Sequence, residues 1–355
     1  MIKNLQYLRA IAAILVLCNH FFIKILDSPY AFITNKGFLE NMGAFGVDIF
    51  FILSGFIMGH TQKETRDYRS FIIDRIIRIY PPFLLAAFLY TIYAAYYEGL
   101  NISYILRNYL LSPGVNEASY KIYLYPGWSL VYEMIFYLIF TVSLLFTQTK
   151  IKVIYLTIFF MSCLLIGSNI FYPSPKRMFW VNLPYMTGDL LLINFMAGCL
   201  LSLFYKKIKE IFSKKYFMLS IAIITFISLW INFDISINIR SQLYRLITIG
   251  LPSFLLVVMA ISSKEINSKT LLNVGNSSYS IYLFHPYFIT FFLIIKSKFL
   301  DSSSIMVVIL DLVFFIITIA SGVAIFTYIE KPLVSKIKGR FLSFSKPESS
   351  KIDVA

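Results

Sequence analysis

Residues 5–26 read LQYLRAIAAILVLCNHFFIKIL, an apolar run interrupted only by isolated polar residues, among them Arg9 and His20. At 1.5 Å per residue, a run of this length crosses the roughly 30 Å hydrocarbon core of a bilayer. Its hydrophobicity is continuous rather than alternating, which argues for a helix and against a barrel strand. The rest of the chain follows suit. Of its 355 residues, 58% are hydrophobic and 14% charged, with a mean hydropathy of +0.74. Soluble domains average about 25% charged residues, so an ordinary soluble protein is excluded. The fold class expected is an all-α, polytopic membrane bundle.

Ten spans are predicted, at 5–26, 44–60, 80–98, 128–147, 151–171, 188–206, 215–233, 243–261, 278–296 and 304–329. Segment 102–112 (ISYILRNYLLS with its flank) is too short to cross and is expected along the interface. No internal repeat or second domain is legible, so residues 1–333 form one membrane domain and 334–355 a short basic tail. The N-terminus lacks a small-residue cleavage site and is read as a retained first helix rather than a signal peptide. The three cysteines, Cys18, Cys163 and Cys199, all lie in apolar stretches without metal-binding spacing, so neither a disulfide framework nor a metal site is expected.

The formal charge of +14 reports orientation rather than a nucleic-acid partner. Most of the 32 Lys and Arg residues fall in alternate loops, most densely at 63–78, 206–215 and 331–351. By the positive-inside rule, both termini are then cytoplasmic.

Ionisable side chains within spans are costly and by default face a bundle interior or a wet cavity. The main ones are Arg9, His20, Asp48, Glu133, Asp189, His285 and Asp311. Eleven helical steps separate Arg9 from His20, about 20° short of or past whole turns, so both occupy one face about 16 Å apart. A fixed cation aligned with an imidazole favours function, since His is the commonest general base. Asp48, in GVDIFFILSGFIMGH, and Glu133, in GWSLVYEMIFYLIF, are expected at the depth of His20, where either carboxylate would orient the ring. Ser54 and Gly55 form a small pair that lets a helix or a ligand approach closely, helix packing being the simpler reading.

Arg75 and Arg78, in KETRDYRSFIIDRIIRIYPP, share a helical face and suit phosphate oxygens, although they also supply inside-positive charge. Pro81 and Pro82 are expected to start the next helix. His285 precedes Pro286 in NVGNSSYSIYLFHPYF, where the carbonyl released by the proline lines a polar cavity. Glu330, in YIEKPL, is expected near Arg9 and the Arg75/Arg78 helix. Asp189 and Asp311 lie near span ends and are read as structural.

Taken together, LRAIAAILVLCNH, GVDIFFILSGFIMG, RIIRIYPPF, GWSLVYEMIFY, NSSYSIYLFHP and YIEKP resemble, in order, the motifs of acyltransferase family 3. Each block alone is weak; their succession over nearly the whole chain is specific. The resemblance implies transfer of an acyl group, usually acetyl, from a cytoplasmic acyl-CoA such as acetyl-CoA to a hydroxyl of a glycan or small molecule. It implies His20 as the catalytic histidine and Arg9 as its signature partner. It also implies Arg75 and Arg78 as donor-binding residues, with Glu330 matched less firmly.

Asp48 and Glu133 complete the expected catalytic set, and Ser54, Trp128 and His285 the substrate-binding set. His20 acts either as general base or as the carrier of an acyl-His intermediate. The expected partners are a glycan or lipid-linked oligosaccharide acceptor, membrane lipid, and a second copy or an envelope-synthesis protein, and the expected location is the bacterial inner membrane. A lipid-linked glycan translocator is the rival reading, because many spans with buried charges also describe a transporter. A structural subunit of an envelope complex is a third.

Overall fold

The computed structural model describes residues 2–24, 35–64, 66–97, 102–114, 122, 124–172, 181–212, 225, 227–228, 242–299 and 305–344. Their regular structure is helical: α1 (Lys3–Ile23), α2 (Lys36–Thr61), α3 (Tyr68–Tyr97), α4 (Ile102–Tyr109), α5 (Gly127–Phe146), α6 (Lys150–Phe171) and α7 (Leu183–Thr187). There follow α8 (Leu191–Phe212), α9 (Gln242–Ser262), α10 (Lys269–Asn276), α11 (Ser278–Phe299), α12 (Ile305–Ile325) and α13 (Lys331–Phe344). A π-helical turn, Leu246–Gly250, interrupts α9, and another, Phe326–Glu330, joins α12 to α13. A single bridge, Gly114 with Asn182, is the β-pairing seen among the described residues.

The protein is an all-α polytopic membrane protein. Among the described residues, 8 helices are long and apolar enough to cross a membrane. They coincide with eight of the ten expected spans. The expected span at 80–98 falls in α3, a helix of 30 residues, and the one at 215–233 lies outside the described residues except for 225, 227 and 228. Segment 102–112 yields the short helix α4.

One expectation is overturned. Pro81 and Pro82 sit inside α3 and do not begin it, so Arg75 and Arg78 lie on the same continuous helix as the span. A proline inside a helix removes one backbone bond and crowds the carbonyl four residues earlier, a loss that neighbouring helices in a bundle can offset. The carbonyls that lose their partners here are those of Ile77 and Arg78; the next one, of Ile79, accepts from the Tyr279 hydroxyl of α11 at 2.9 Å, which ties α11 to this turn.

Lipid is as apolar as a leucine side chain, so membrane helices associate through close backbone approach rather than hydrophobic burial. The contact between α2 and α8 shows this. A methyl group placed on Gly55 would come within 2.1 Å of the Phe195 carbonyl, and one on Gly198 within 2.1 Å of the Ile52 carbonyl. Helix α1 packs among α2, α9, α10 and α11 and buries Ala10, Ala12, Ala13, Val16 and Leu17. Its first turn is tied down by Asn4, whose Nδ2 reaches the carbonyls of Ala260, Ser263 and Lys264 at 3.0–3.2 Å. The first is a carbonyl that the last turn of α9 leaves open, and the other two belong to the residues just past its end. Leu138, Leu145, Phe159, Ile166 and Ile316 point outward, a surface suited to acyl chains rather than water.

Helix α13 continues the chain past residue 333 and packs against α3. Lys338 Nζ and Arg66 Nη2 each bond the Asp74 carboxylate at 2.8 Å. The expected break between membrane domain and tail is therefore not marked by a change of structure.

Candidate active site

Two cavities lie side by side in the bundle, against the polar face of α1. The first, of about 90 Å³, opens around Arg9, Ser54, Arg75, Arg78, Glu133 and Tyr137. Arg75 is only 7% exposed, its guanidinium resting over the rings of Phe71 and Tyr137 at 5.3 and 5.5 Å. These contacts leave its Nε without a hydrogen-bond partner. Among the described residues, none of Arg9, Arg75 and Arg78 is ion-paired. Glu133 is engaged by hydroxyls: its Oε1 accepts from Ser54 Oγ at 3.0 Å and from Tyr137 Oη. Three cations thus face a cavity whose single carboxylate is already occupied. Burying a charge without a partner is costly, and an anionic ligand would remove that cost.

Glu330 closes the π turn at the end of α12 and accepts from Ser280 Oγ at 2.5 Å. It stands within the field of Arg78 and Arg9, the neighbours expected for it. π turns recur at functional positions because the extra residue re-aims the side chains that follow.

The second cavity, of about 650 Å³, lies toward the carboxyl end of α1. His20 and His285 stack in its wall, ring centroids 5.1 Å apart and planes 24° from parallel. Tyr125 presents its edge to His20 at 5.0 Å. Trp128 and Tyr90 add further rings, and Lys24, Lys36 and Glu40 add charge. His285 is buried, and its Nδ1 bonds the Tyr282 carbonyl at 2.7 Å.

Val47 and Tyr282 belong to the walls of both cavities. The Tyr282 hydroxyl is fixed by Ser129 Oγ at 2.7 Å and by the Pro126 carbonyl at 3.1 Å. The Arg9-to-His20 face of α1 therefore runs past a partition, with the arginines on one side and the imidazoles on the other.

The structure gathers Arg9, Ser54, Arg75, Arg78 and Glu133 in the first cavity and His20, Trp128 and His285 in the second. Among the described residues it does not place a carboxylate behind His20. Asp48 is fully buried and paired instead with Arg245 of α9, whose Nη2 donates to its Oδ1 at 2.5 Å. Glu133 is turned to Ser54 and Tyr137. The reason is that residues at similar depth on different helices meet only if their faces converge, and α2 turns Asp48 toward α9. The small pair divides: Ser54 faces the cavity and Gly55 faces α8. Asp189 accepts from Tyr132 and caps Leu191 N at 3.0 Å, and Asp311 pairs with Lys296 at 3.2 Å.

Three participants escape the sequence reading. Arg245 is not singled out there, and Tyr137 and Tyr282 enter only as letters of the GWSLVYEMIFY and NSSYSIYLFHP blocks. Arg245 had a usable signal, since it opens an apolar span and needs a buried acid.

The family described as an acyltransferase domain, acyltransferase family 3, matches this chain over residues 2–330. The exopolysaccharide production protein ExoZ of Rhizobium meliloti (strain 1021) is 27% identical over 262 residues, covering 70% of this chain and 77% of ExoZ. No solved structure matches significantly.

Proposed function

The chain belongs to acyltransferase family 3, and on that footing we propose that it moves an acyl group, acetyl in the first instance, from a cytoplasmic acyl-CoA to a hydroxyl of an exopolysaccharide or its lipid-linked precursor in the bacterial inner membrane. The observation that carries the donor assignment is the first cavity. Among the described residues Arg9, Arg75 and Arg78 form no direct ion pair, and guanidinium groups bind phosphate oxygens in pairs. These residues fit the phosphates of coenzyme A. The bound donor would supply an activated thioester carbonyl.

The remaining steps fall to the chain. The arginines anchor the donor at one end, and the partition at Tyr282 lies between that anchor and the imidazoles. The acceptor belongs in the larger cavity, whose volume lies within the range of about 300–1,000 Å³ common for small-ligand sites. Trp128, Tyr125 and Tyr90 offer flat apolar faces to sugar rings there, and the likeness to ExoZ supports a polysaccharide acceptor. The proton of the attacking hydroxyl is taken within the His20/His285 pair. His20, on the face of Arg9, is the member to which the family motif points.

The test is the ester content of the producing cell's surface polysaccharide, read by mass spectrometry and NMR in wild type, His20→Ala and deletion strains with equal protein levels. Loss of one ester from a polysaccharide still on the surface supports acyl transfer. A polysaccharide missing from the surface of the deletion strain would instead favour translocation.

A further inference from the structure

The two imidazoles of the second cavity are not equivalent. Pro286 has no N–H, so the carbonyl four residues earlier, that of Tyr282, loses its helical partner. His285 Nδ1 fills the gap at 2.7 Å and lies 3.3 Å from the Ile281 carbonyl. A carbonyl oxygen only accepts, so Nδ1 must carry the hydrogen. In the neutral ring the lone pair is then on Nε2. That atom is buried and has no hydrogen-bond partner among the described residues, while His285 lines a cavity large enough for a substrate. His20, by contrast, has stacking neighbours and no hydrogen bond that fixes either nitrogen among the described residues.

We propose that His285 is a catalytic residue of the acyl transfer, its Nε2 taking the proton of the acceptor hydroxyl, with the Tyr282 carbonyl freed by Pro286 as the group that fixes its tautomer. The inference rests on the acyl-transfer reading above and assigns within it the atom that acts. A carboxylate behind a catalytic imidazole holds the ring and its tautomer in hydrolytic triads. Here a backbone carbonyl does so, which agrees with Asp48 and Glu133 being committed elsewhere.

The step balances without a further reagent. The hydroxyl oxygen forms a bond to the thioester carbonyl carbon as its proton passes to Nε2. The carbon–sulfur bond then breaks, and the departing sulfur takes the proton back from Nε2. An ester and free coenzyme A result, and His285 returns to its starting form. His20 keeps its place on the neighbouring face, stacked on the ring that moves the proton.

The experiment uses full-length protein in native membrane vesicles, with radiolabelled acetyl-CoA as donor and the producing cell's own exopolysaccharide, stripped of esters by mild base, as acceptor. Binding of coenzyme A is measured alongside. His285→Asn retains a side-chain N–H for the Tyr282 carbonyl and removes Nε2, so it should fold. It should lower kcat by about 10²- to 10⁴-fold, the usual worth of a general base, with coenzyme A affinity unchanged. His285→Ala should lose as much and recover part of its rate on addition of imidazole, which a packing defect would not. Turnover of His285→Asn close to wild type overturns the proposal, as does a loss of rate in both variants that tracks a loss of coenzyme A binding and ignores imidazole. Absence of acetyl transfer by the wild type is a different result: it strikes the acyl-CoA reading itself and takes this assignment down with it.

Discussion

Arg245 Nη2 donates to Asp48 Oδ1 at 2.5 Å, joining two residues 197 positions apart in the chain. The carboxylate is fully buried, and the Arg245 side chain is 19% exposed. The pair ties α2 to α9 beside the larger cavity.

Deleting one partner strands the other charge, which typically costs about 3–5 kcal/mol. Asp48→Asn and Arg245→Ala should therefore each lower the melting temperature in detergent markedly. The double replacement Asp48→Leu with Arg245→Met should restore most of the loss, because a buried pair exchanged for apolar groups is often neutral. A double variant as unstable as the singles would refute this account of the pair.

Arg75 is held flat between Phe71 and Tyr137. A lysine keeps the charge but neither stacks in the same way nor binds phosphate in a forked geometry. Arg75→Lys should weaken coenzyme A binding about tenfold or more, equivalent to about 1.4 kcal/mol or more. The acceptor KM should not change. Competition against radiolabelled acetyl-CoA reads the difference directly.

Pro286→Ala separates stability from rate. Proline costs about 3 kcal/mol against alanine inside a helix, so the variant should be at least as stable as wild type. Yet its restored N–H would compete with His285 for the Tyr282 carbonyl. Turnover is expected to fall about tenfold, which corresponds to about 1.4 kcal/mol in the barrier. A faster, more stable variant would speak against a role for the freed carbonyl.

Asp74 lies outside the apolar part of α3. Partial burial opposes its charge, but the hydrogen bond and charge of Lys338, with the charges of Arg66 and Arg75, outweigh this and hold the carboxyl below its ordinary value. A lowered value stabilises the attachment of α13 above the ordinary carboxylate range, and the effect is lost as pH falls through the folded-state value. Because the side chain is 36% exposed, the gain is at most about 1 kcal/mol. Hydrogen exchange should show Asp74→Asn loosening residues 331–344 at neutral pH while leaving α5 and α8 unchanged.

The apolar runs are plain in the sequence because each helix must present side chains that lipid tolerates along its whole length. That made α1, α5, α6 and α9 legible to within about three residues, whereas α2 begins eight residues before its expected span. Arg9 and His20 were legible as one face because a helix of known pitch links them. Partners on different helices were not. The depth of Asp48 follows from its position in a span, but its rotation toward Arg245 depends on how α2 packs on α8 through Gly55 and Gly198. The continuity of α3 through Pro81 and Pro82 was hidden for a similar reason, since it depends on the helices packed around that turn. The carbonyl freed by Pro286 was foreseen; the side chain that takes it was not.

The wall formed by Tyr282 and Val47 has a meaning for the cell beyond the reaction. Hollows that follow one another along a membrane helix, separated by a phenol ring and an isopropyl group, stop just short of a pore. A bacterium that conserves energy as an ion gradient cannot tolerate a passage lined by cations and imidazoles, which would conduct. On the acyl-transfer reading proposed above, the ring of Tyr282 would serve as insulation, and a turnover would have to carry an acyl group past it without letting the gradient run down.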